Sequence, residues 1–222
     1  MKKHYTQVAL ACALSFAALS SAQAEGLSFN IGAVSLYKSN GIDQDNRSPK
    51  SFVPAIQGGV DYAFSNGFYI GNWNSTGKFG EANIEIDLYA GFTRELSKDL
   101  SYDVGVARYI YPSQANYNAN DLYASISYMM FTAKYTRGFG NGNKNARLGL
   151  SVEQPLNDVL TLNAGLGFRN KSNNSGAYDY SIGLNYDLGN DLSTSATFSG
   201  AQTSKAGTAG KGRLFVGITK SF

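Results

Sequence analysis

The last ten residues of the chain alternate between apolar and polar side chains. One parity carries the apolar set Leu214, Val216, Ile218 and Phe222, and the other carries Arg213, Gly217, Thr219 and Ser221. A period of two predicts a β-strand with one apolar and one polar face. Such a strand, ending on Phe222, is typical of the last strand of a bacterial outer-membrane barrel. We expect it to pair with the first strand, because lipid does not tolerate an open sheet edge.

The same alternation recurs along the chain and predicts about twelve strands. We place them at 27–37, 52–64, 68–79, 83–96, 100–111, two within 121–139, and then 146–152, 160–168, 178–188, 192–198 and 213–222. The segment 121–139 is divided because its apolar parity flips at Met129-Met130. We expect a tight turn there, although methionine is an unusual turn residue.

The connections between these segments alternate between long and short. The long ones are 38–50, 112–120, 138–145, 170–176 and 199–212, and the short ones are 65–67, 97–99, 129–130, 154–158 and 189–191. The link at 80–82 is an exception. Long outer loops and short periplasmic turns give this rhythm in an up-and-down antiparallel barrel. The predicted fold class is therefore all-β, a transmembrane up-and-down antiparallel β-barrel of about twelve strands formed by residues 25–222.

The parity of each strand assigns its side chains to the lipid or to the lumen. Those predicted to face lipid include Ile84, Ile86, Leu88, Val216 and Ile218. The charged residues predicted to line the pore are Glu85, Asp87, Asp103, Lys134, Arg147, Arg169 and Arg213. In a ring of about twelve strands, acidic and basic members would lie on opposed walls and set up a field across the pore. Alternatively, these charges pair and fill the lumen, which the further acids Asp179 and Asp187 favour.

Residues 1–24 have the organisation of a secretory signal peptide. Two lysines precede an apolar run at 8–19, and Ala-Gln-Ala at 22–24 matches a cleavage site. The apolar run is too short to span a bilayer as a helix, and no later stretch is long and apolar enough. Cleavage would remove Cys12 and His4, the only cysteine and the only histidine of the chain.

The composition argues against several classes of function. Without cysteine and histidine, the secreted chain cannot be a disulfide scaffold, a zinc protein or a serine hydrolase with a histidine base. A formal net charge of +3 without a concentrated basic patch argues against nucleic-acid binding. Carboxylate chemistry through Glu85 and Asp87 is conceivable, but lumen polarity explains them equally well. We therefore predict no enzyme, no cofactor and no bound metal.

Four stretches of the barrel sequence are similar to sequences of a known protein family. They are PAIQGGVDY at 54–62, GFYIGNW at 67–73, EIDLYAGF at 85–92 and YDVGVARYIYP at 102–112. Together they resemble the TorF-type family of porin-like proteins, which are small proteobacterial outer-membrane proteins. The first strand of that family usually runs into Tyr-x-x-Arg-Gly-Ile-Ser-Gln. Here Asn40 replaces the arginine and Asp43 the serine, so a role of that arginine does not carry over. The resemblance implies a barrel located in the cell outer membrane.

We expect a porin-like channel of the Gram-negative outer membrane that passes small polar solutes or ions by diffusion. Twelve strands fall between the ~8 of a filled barrel and the ~16–18 of an open porin, so a plugged lumen is an alternative. In that case the barrel would be structural or adhesive, with surface loops that bind a partner. A soluble periplasmic β-sandwich would explain the alternation but not Phe222. Expected partners are outer-membrane lipid and the barrel-assembly machinery, which would recognise the strand ending in Phe222.

Overall fold

The alternating segments form the strands of one closed sheet. The computed structural model of the protein describes residues 25–45, 52–140, 144–170 and 178–222. The predicted signal peptide at 1–24 lies outside the described residues, as do parts of three predicted loops.

Twelve strands within the described residues make the barrel, and two more form a small hairpin. The barrel strands are β1 (Gly26–Val34), β4 (Ala55–Ala63), β5 (Phe68–Phe79), β6 (Ala82–Ser97), β7 (Leu100–Ile110), β8 (Ala119–Tyr128), β9 (Phe131–Phe139), β10 (Ala146–Pro155), β11 (Leu160–Arg169), β12 (Tyr178–Gly189), β13 (Leu192–Ala201) and β14 (Arg213–Ser221). The hairpin strands are β2 (Lys38–Ser39) and β3 (Ile42–Asp43).

The helical segments of the described residues are short. They are an α-helix at Thr203–Ala206 and 3₁₀ turns at Ala115–Tyr117 and Gly207–Gly210. None of these helices is long and apolar enough to cross a membrane.

Antiparallel pairing runs around the ring in chain order and closes between β1 and β14. The register of that closing pair runs from Asn30 opposite Ser221 to Val34 opposite Gly217. The Phe222 N–H donates to the Phe29 carbonyl at 2.9 Å, and the Phe29 N–H donates to the Phe222 carbonyl at 3.2 Å. Closure leaves no unpaired sheet edge, as a barrel in lipid requires. The predicted up-and-down antiparallel barrel of about twelve strands is confirmed.

The two ends of the barrel differ in the length of their connections. The turn end, where β1 begins and β14 ends, has the short connections 64–67, 98–99, 129–130, 156–159 and 190–191. The opposite loop end has the connections 35–54, 80–81, 111–118, 140–145, 170–177 and 202–212. The predicted alternation of long and short links therefore places all the longest connections at one mouth of the barrel.

Side chains along each strand alternate between the outer surface and the lumen. On β6, Ile84 and Leu88 are 37% and 46% exposed on the outside, whereas Glu85 and Asp87 are 1% and 0% exposed inside. An apolar outer surface around a polar interior is the arrangement that a bilayer-spanning barrel needs.

Two asparagines interrupt the apolar outer surface in the middle of β5. The Asn74 amide donates to Oδ1 of Asn72 at 2.6 Å, and the Asn72 amide donates to the Asp87 carbonyl at 3.1 Å. These contacts pair the outward amides within the sheet, which lowers the cost of placing them toward an apolar solvent.

The strands β8 and β9 meet at the turn Met129-Met130, as the flip in apolar parity predicts. Tyr128 pairs directly with Phe131, so the turn has two central residues. Met129 has a φ of 52°, whereas Met130 is not among the residues with positive φ. Glycine is the residue that two-residue hairpin turns prefer when only their first central position has positive φ.

Met129→Gly is expected to raise the free energy of unfolding by about 1 kcal/mol, because glycine adopts positive φ without a Cβ clash. Met130→Gly is the matched control and should give no gain. Urea unfolding of the barrel in phospholipid vesicles, followed through the fluorescence of the single tryptophan, measures both variants. An equal increase in the free energy of unfolding of Met130→Gly would contradict the inference that the positive φ of Met129 is strained.

Candidate functional site

The first connection of the barrel folds into its loop end. Residues 35–45 form what we call the crossing loop. The ring of Tyr37 packs edge-on against Trp73 of β5, with 5.7 Å between centroids. The carbonyl of Asn40 accepts a hydrogen bond from Arg169 of β11 at 2.7 Å. Because β5 and β11 lie on opposite sides of the ring, the crossing loop spans the lumen from wall to wall.

A tight hairpin turn shapes the crossing loop. Asn40 and Gly41 have φ values of 47° and 77° and join β2 to β3. A Cβ on Gly41 would lie 2.2 Å from the Gly200 carbonyl oxygen, so the approach to β13 requires glycine. The segment 38–50 was predicted to be a loop, without this hairpin. Asn-Gly is a strong hairpin signal and could have revealed it.

A buried ion network fixes the crossing loop to the barrel. Nζ of Lys38 donates to Oδ1 of Asp43 at 2.6 Å, and to the carbonyls of Ala209 and Lys211 at 3.2 and 3.1 Å. Oδ2 of Asp43 lies 3.3 Å from Nε of Arg213 on β14. The side chains of Lys38 and Asp43 are fully buried. Burial lowers the pKa of the Lys38 ammonium, and the Asp43 carboxylate opposes that shift.

Two arginines on one wall of the lumen converge on Asp179. Nε and Nη2 of Arg147 donate to this carboxylate at 3.0 and 2.8 Å. Nη2 of Arg169 donates to it at 2.9 Å. A Cβ on Gly167 would lie 2.3 Å from Nη2 of Arg147, so this glycine makes room for the guanidinium. Two guanidinium groups thus share the carboxylate of Asp179.

Glu85 and Asp87 face the lumen from β6, roughly opposite the arginines in the ring. Oε1 of Glu85 accepts a hydrogen bond from the Tyr111 hydroxyl at 2.8 Å. Asp87 lies in register between Trp73 of β5 and Tyr109 of β7. Among the residues that the structure describes, neither carboxylate forms an ion pair with a lysine or an arginine. This wall therefore combines carboxylates with phenols and an indole.

A third group of polar side chains lies between these walls. Oδ1 of Asp103 accepts a hydrogen bond from the Tyr69 hydroxyl at 2.6 Å, and the hydroxyls of Tyr69 and Tyr123 are 2.6 Å apart. Nζ of Lys134 lies over the ring of Tyr123, 4.3 Å from its centroid. This cation–π contact brings Lys134 into the same group as Asp103.

The seven residues predicted to line the pore lie on the lumen side of their strands. They are Glu85, Asp87, Asp103, Lys134, Arg147, Arg169 and Arg213. The structure brings Arg147 together with Arg169, and Asp103 together with Lys134. It places Arg213 against the crossing loop. The predicted first strand at 27–37 is wrong at its end, because β1 stops at Val34 and Tyr37 lies in the crossing loop. The sequence did not indicate that Tyr37, Lys38 and Asp43 lie in the lumen, since a period-two pattern does not show that a loop turns inward.

The lumen is less filled toward the turn end. Ser151 and Glu153 of β10 share the lumen parity with Arg147 and are exposed. Solvent therefore reaches the interior below the crossing loop.

These features define a class of protein: a closed twelve-stranded antiparallel barrel with an apolar outer surface and a charged lumen that one loop crosses. The chain belongs to the Gcw_chp family, described as a bacterial protein of unknown function, whose model matches residues 18–222.

Solved structures of porins share this fold. A KdgM porin superposes with a TM-score of 0.63 at 12% identity, covering 88% of this chain and 99% of its own. The KdgM porin in complex with disordered oligogalacturonate gives the same score and identity. A NanC porin gives a TM-score of 0.57 at 11% identity, covering 87% of this chain and 98% of its own. No curated protein matches the chain. At these identities the likeness establishes the fold alone.

Proposed function

We infer that the protein is an outer-membrane channel through which small polar solutes or ions diffuse passively. The observation that carries this function is the lumen, in which a closed wall with an apolar exterior surrounds buried charges. Ionisable groups inside a membrane barrel are costly to bury and commonly mark a path for ions or polar solutes. The proposed activity is transport without catalysis.

The location belongs to the same proposal. Residues 1–24 would direct the chain to secretion and be removed by cleavage. The barrel-assembly machinery would recognise the last strand through Phe222, and the exposed apolar side chains would contact outer-membrane lipid. The resemblance of four sequence stretches to TorF-type porin-like proteins supports this location.

The width of the lumen limits the solutes to small ones. Twelve strands lie between the ~8 that side chains can fill and the ~16–18 of an open aqueous channel. The crossing loop narrows the loop end further, because it contacts opposite walls. Charged groups on both walls would orient a small polar solute or an ion as it passes.

A non-conducting barrel with a structural or adhesive role is the second candidate. The crossing loop favours it, because Lys38 and Asp43 are buried and held by several contacts across the loop-end mouth. If the crossing loop blocks the lumen, the barrel does not conduct and the surface loops would carry the function.

Reconstitution of the purified barrel into planar lipid bilayers tests the proposal. A channel is expected to give stepwise currents that depend on salt concentration, and detergent without protein is the control. Heat-modifiable migration on gels should show that the same preparation is folded. Folded protein that gives no currents would contradict the channel and leave the second candidate.

A further inference from the structure

Both carboxylate oxygens of Asp87 on β6 are buried and have no hydrogen-bond partner among the described residues. Glu85 and Tyr37 lie beside Asp87, and the Tyr37 hydroxyl interacts with the Glu85 carboxylate. Asp87, Glu85 and Tyr37 are 0%, 1% and 2% exposed, respectively. Buried polar atoms in folded proteins are nearly always paired, so the unpaired carboxylate of Asp87, next to that of Glu85, calls for a positively charged partner.

The crossing loop covers these carboxylates on the side of the loop end, through the side chain of Tyr37. Burial raises the pKa of the Tyr37 phenol well above its ordinary value, and the nearby carboxylates of Glu85 and Asp87 raise it further. The phenol therefore stays neutral, and its oxygen is available as a ligand. In register, Ser75 lies opposite Glu85 and Trp73 lies opposite Asp87. A hydroxyl and an aromatic ring thus flank the two carboxylates.

We propose that Glu85 and Asp87 bind a small monovalent cation inside the barrel, with Tyr37 and Ser75 as neutral oxygen ligands. The carboxylates supply the charge that compensates for lost hydration, and no basic side chain of the described residues competes for them. The indole of Trp73 adds a surface that attracts cations.

The number of acidic ligands favours a monovalent ion. Calcium takes six to eight oxygen ligands, several of them from carboxylates. Within the described residues, no three histidine, cysteine, aspartate or glutamate side chains come together as a metal-binding group. Two carboxylates with neutral oxygens suit an ion of the size of potassium. A role of this site in selecting permeant ions rests on the proposed channel function, whereas binding itself does not.

Trp73 provides a direct probe, because it is the only tryptophan and lies opposite Asp87. Thallous ion resembles potassium in size and quenches indole fluorescence on contact. In the refolded wild-type barrel, thallous nitrate is expected to quench Trp73 saturably, and potassium should relieve the quenching. Glu85→Gln with Asp87→Asn should weaken binding by roughly tenfold or more, because both charges at the site are removed.

Glu153→Gln is the matched control, since it neutralises a lumen-facing carboxylate on β10 that lies away from the site. It should leave the quenching unchanged. Each variant is first checked for heat-modifiable migration, and the single substitutions replace the double one if that does not fold. Quenching that stays linear in the wild type, or that is equal in all variants, would overturn the site and indicate that the buried carboxyls hold protons. Relief by calcium but not by potassium would overturn the monovalent assignment.

Reversal potentials in a potassium chloride gradient separate binding from transport. A conducting wild type should favour potassium over chloride, and the double variant should lose roughly tenfold in that permeability ratio. Saturable quenching in a barrel that does not conduct would support the cation site and contradict the proposed channel. Unchanged selectivity in a conducting double variant would overturn the role of the site in ion selection.

Discussion

Replacing Asp43 by asparagine is expected to release the crossing loop and to raise the single-channel conductance of the barrel. Asp43 is the carboxylate that holds both Lys38 and Arg213, and its side chain is fully buried. Its neutralisation leaves two buried cations without their counter-ion. Breaking a buried ion pair in this way costs about 3–5 kcal/mol. We expect that cost to appear as local detachment of the loop, because the barrel strands pair independently of it.

Planar-bilayer recordings of Asp43→Asn and of the wild type measure this effect. Lys220→Met is the matched control, because Lys220 pairs with Asp191 at 3.7 Å on the exposed turn end. Loss of an exposed pair changes stability by about 0.2–1 kcal/mol and should leave conductance unchanged. A folded Asp43→Asn barrel with wild-type conductance would show that the crossing loop does not limit passage. If Asp43→Asn conducts and the wild type does not, the wild-type lumen is closed.

Leu150→Arg is expected to cost about 2–4 kcal/mol in folding into bilayers, because its side chain points to lipid near the middle of β10. Leu150 is 44% exposed on the outer surface. Ser151, the next residue, faces the lumen and is also exposed. Ser151→Arg should therefore cost clearly less, since its guanidinium would remain in contact with water.

The comparison of Leu150→Arg with Ser151→Arg tests which face of β10 points to lipid and which to the lumen. The two variants add the same side chain one residue apart, so strand propensity and mutation size are closely matched. Urea titration of folding in phospholipid vesicles, followed through Trp73 fluorescence, gives both free energies. Equal penalties would mean that the assignment of the two faces of β10 is wrong.

The sequence by itself determined that about twelve strands form the barrel and on which face of the sheet the side chains of each strand lie. Alternation with a period of two is a local property, so it is visible in the sequence without any knowledge of neighbours. The same property exposed the turn at Met129-Met130 through a change of parity. It also indicated closure of the ring through the strand that ends on Phe222.

Only the tertiary structure decided which lumen charges meet. Arg147 and Asp179 are 32 residues apart in sequence, and parity alone gives neither their depth in the barrel nor their contact. The stagger between strands sets that depth, and it depends on the whole closed sheet. For this reason the sequence left open whether the charges pair or form opposed walls. The structure shows pairing around Asp179, and carboxylates without a basic partner of the described residues at Glu85 and Asp87.

The sequence likewise does not predict that the crossing loop enters the lumen. Lys38 contacts the carbonyl of Lys211, 173 residues away along the chain. Lys38 lies in a polar segment between two predicted strands. Such a position predicts a solvated loop, because long connections usually run over the surface. Burial of Lys38 becomes favourable only when Asp43 and the carbonyls of the last long connection are brought together by closure of the barrel.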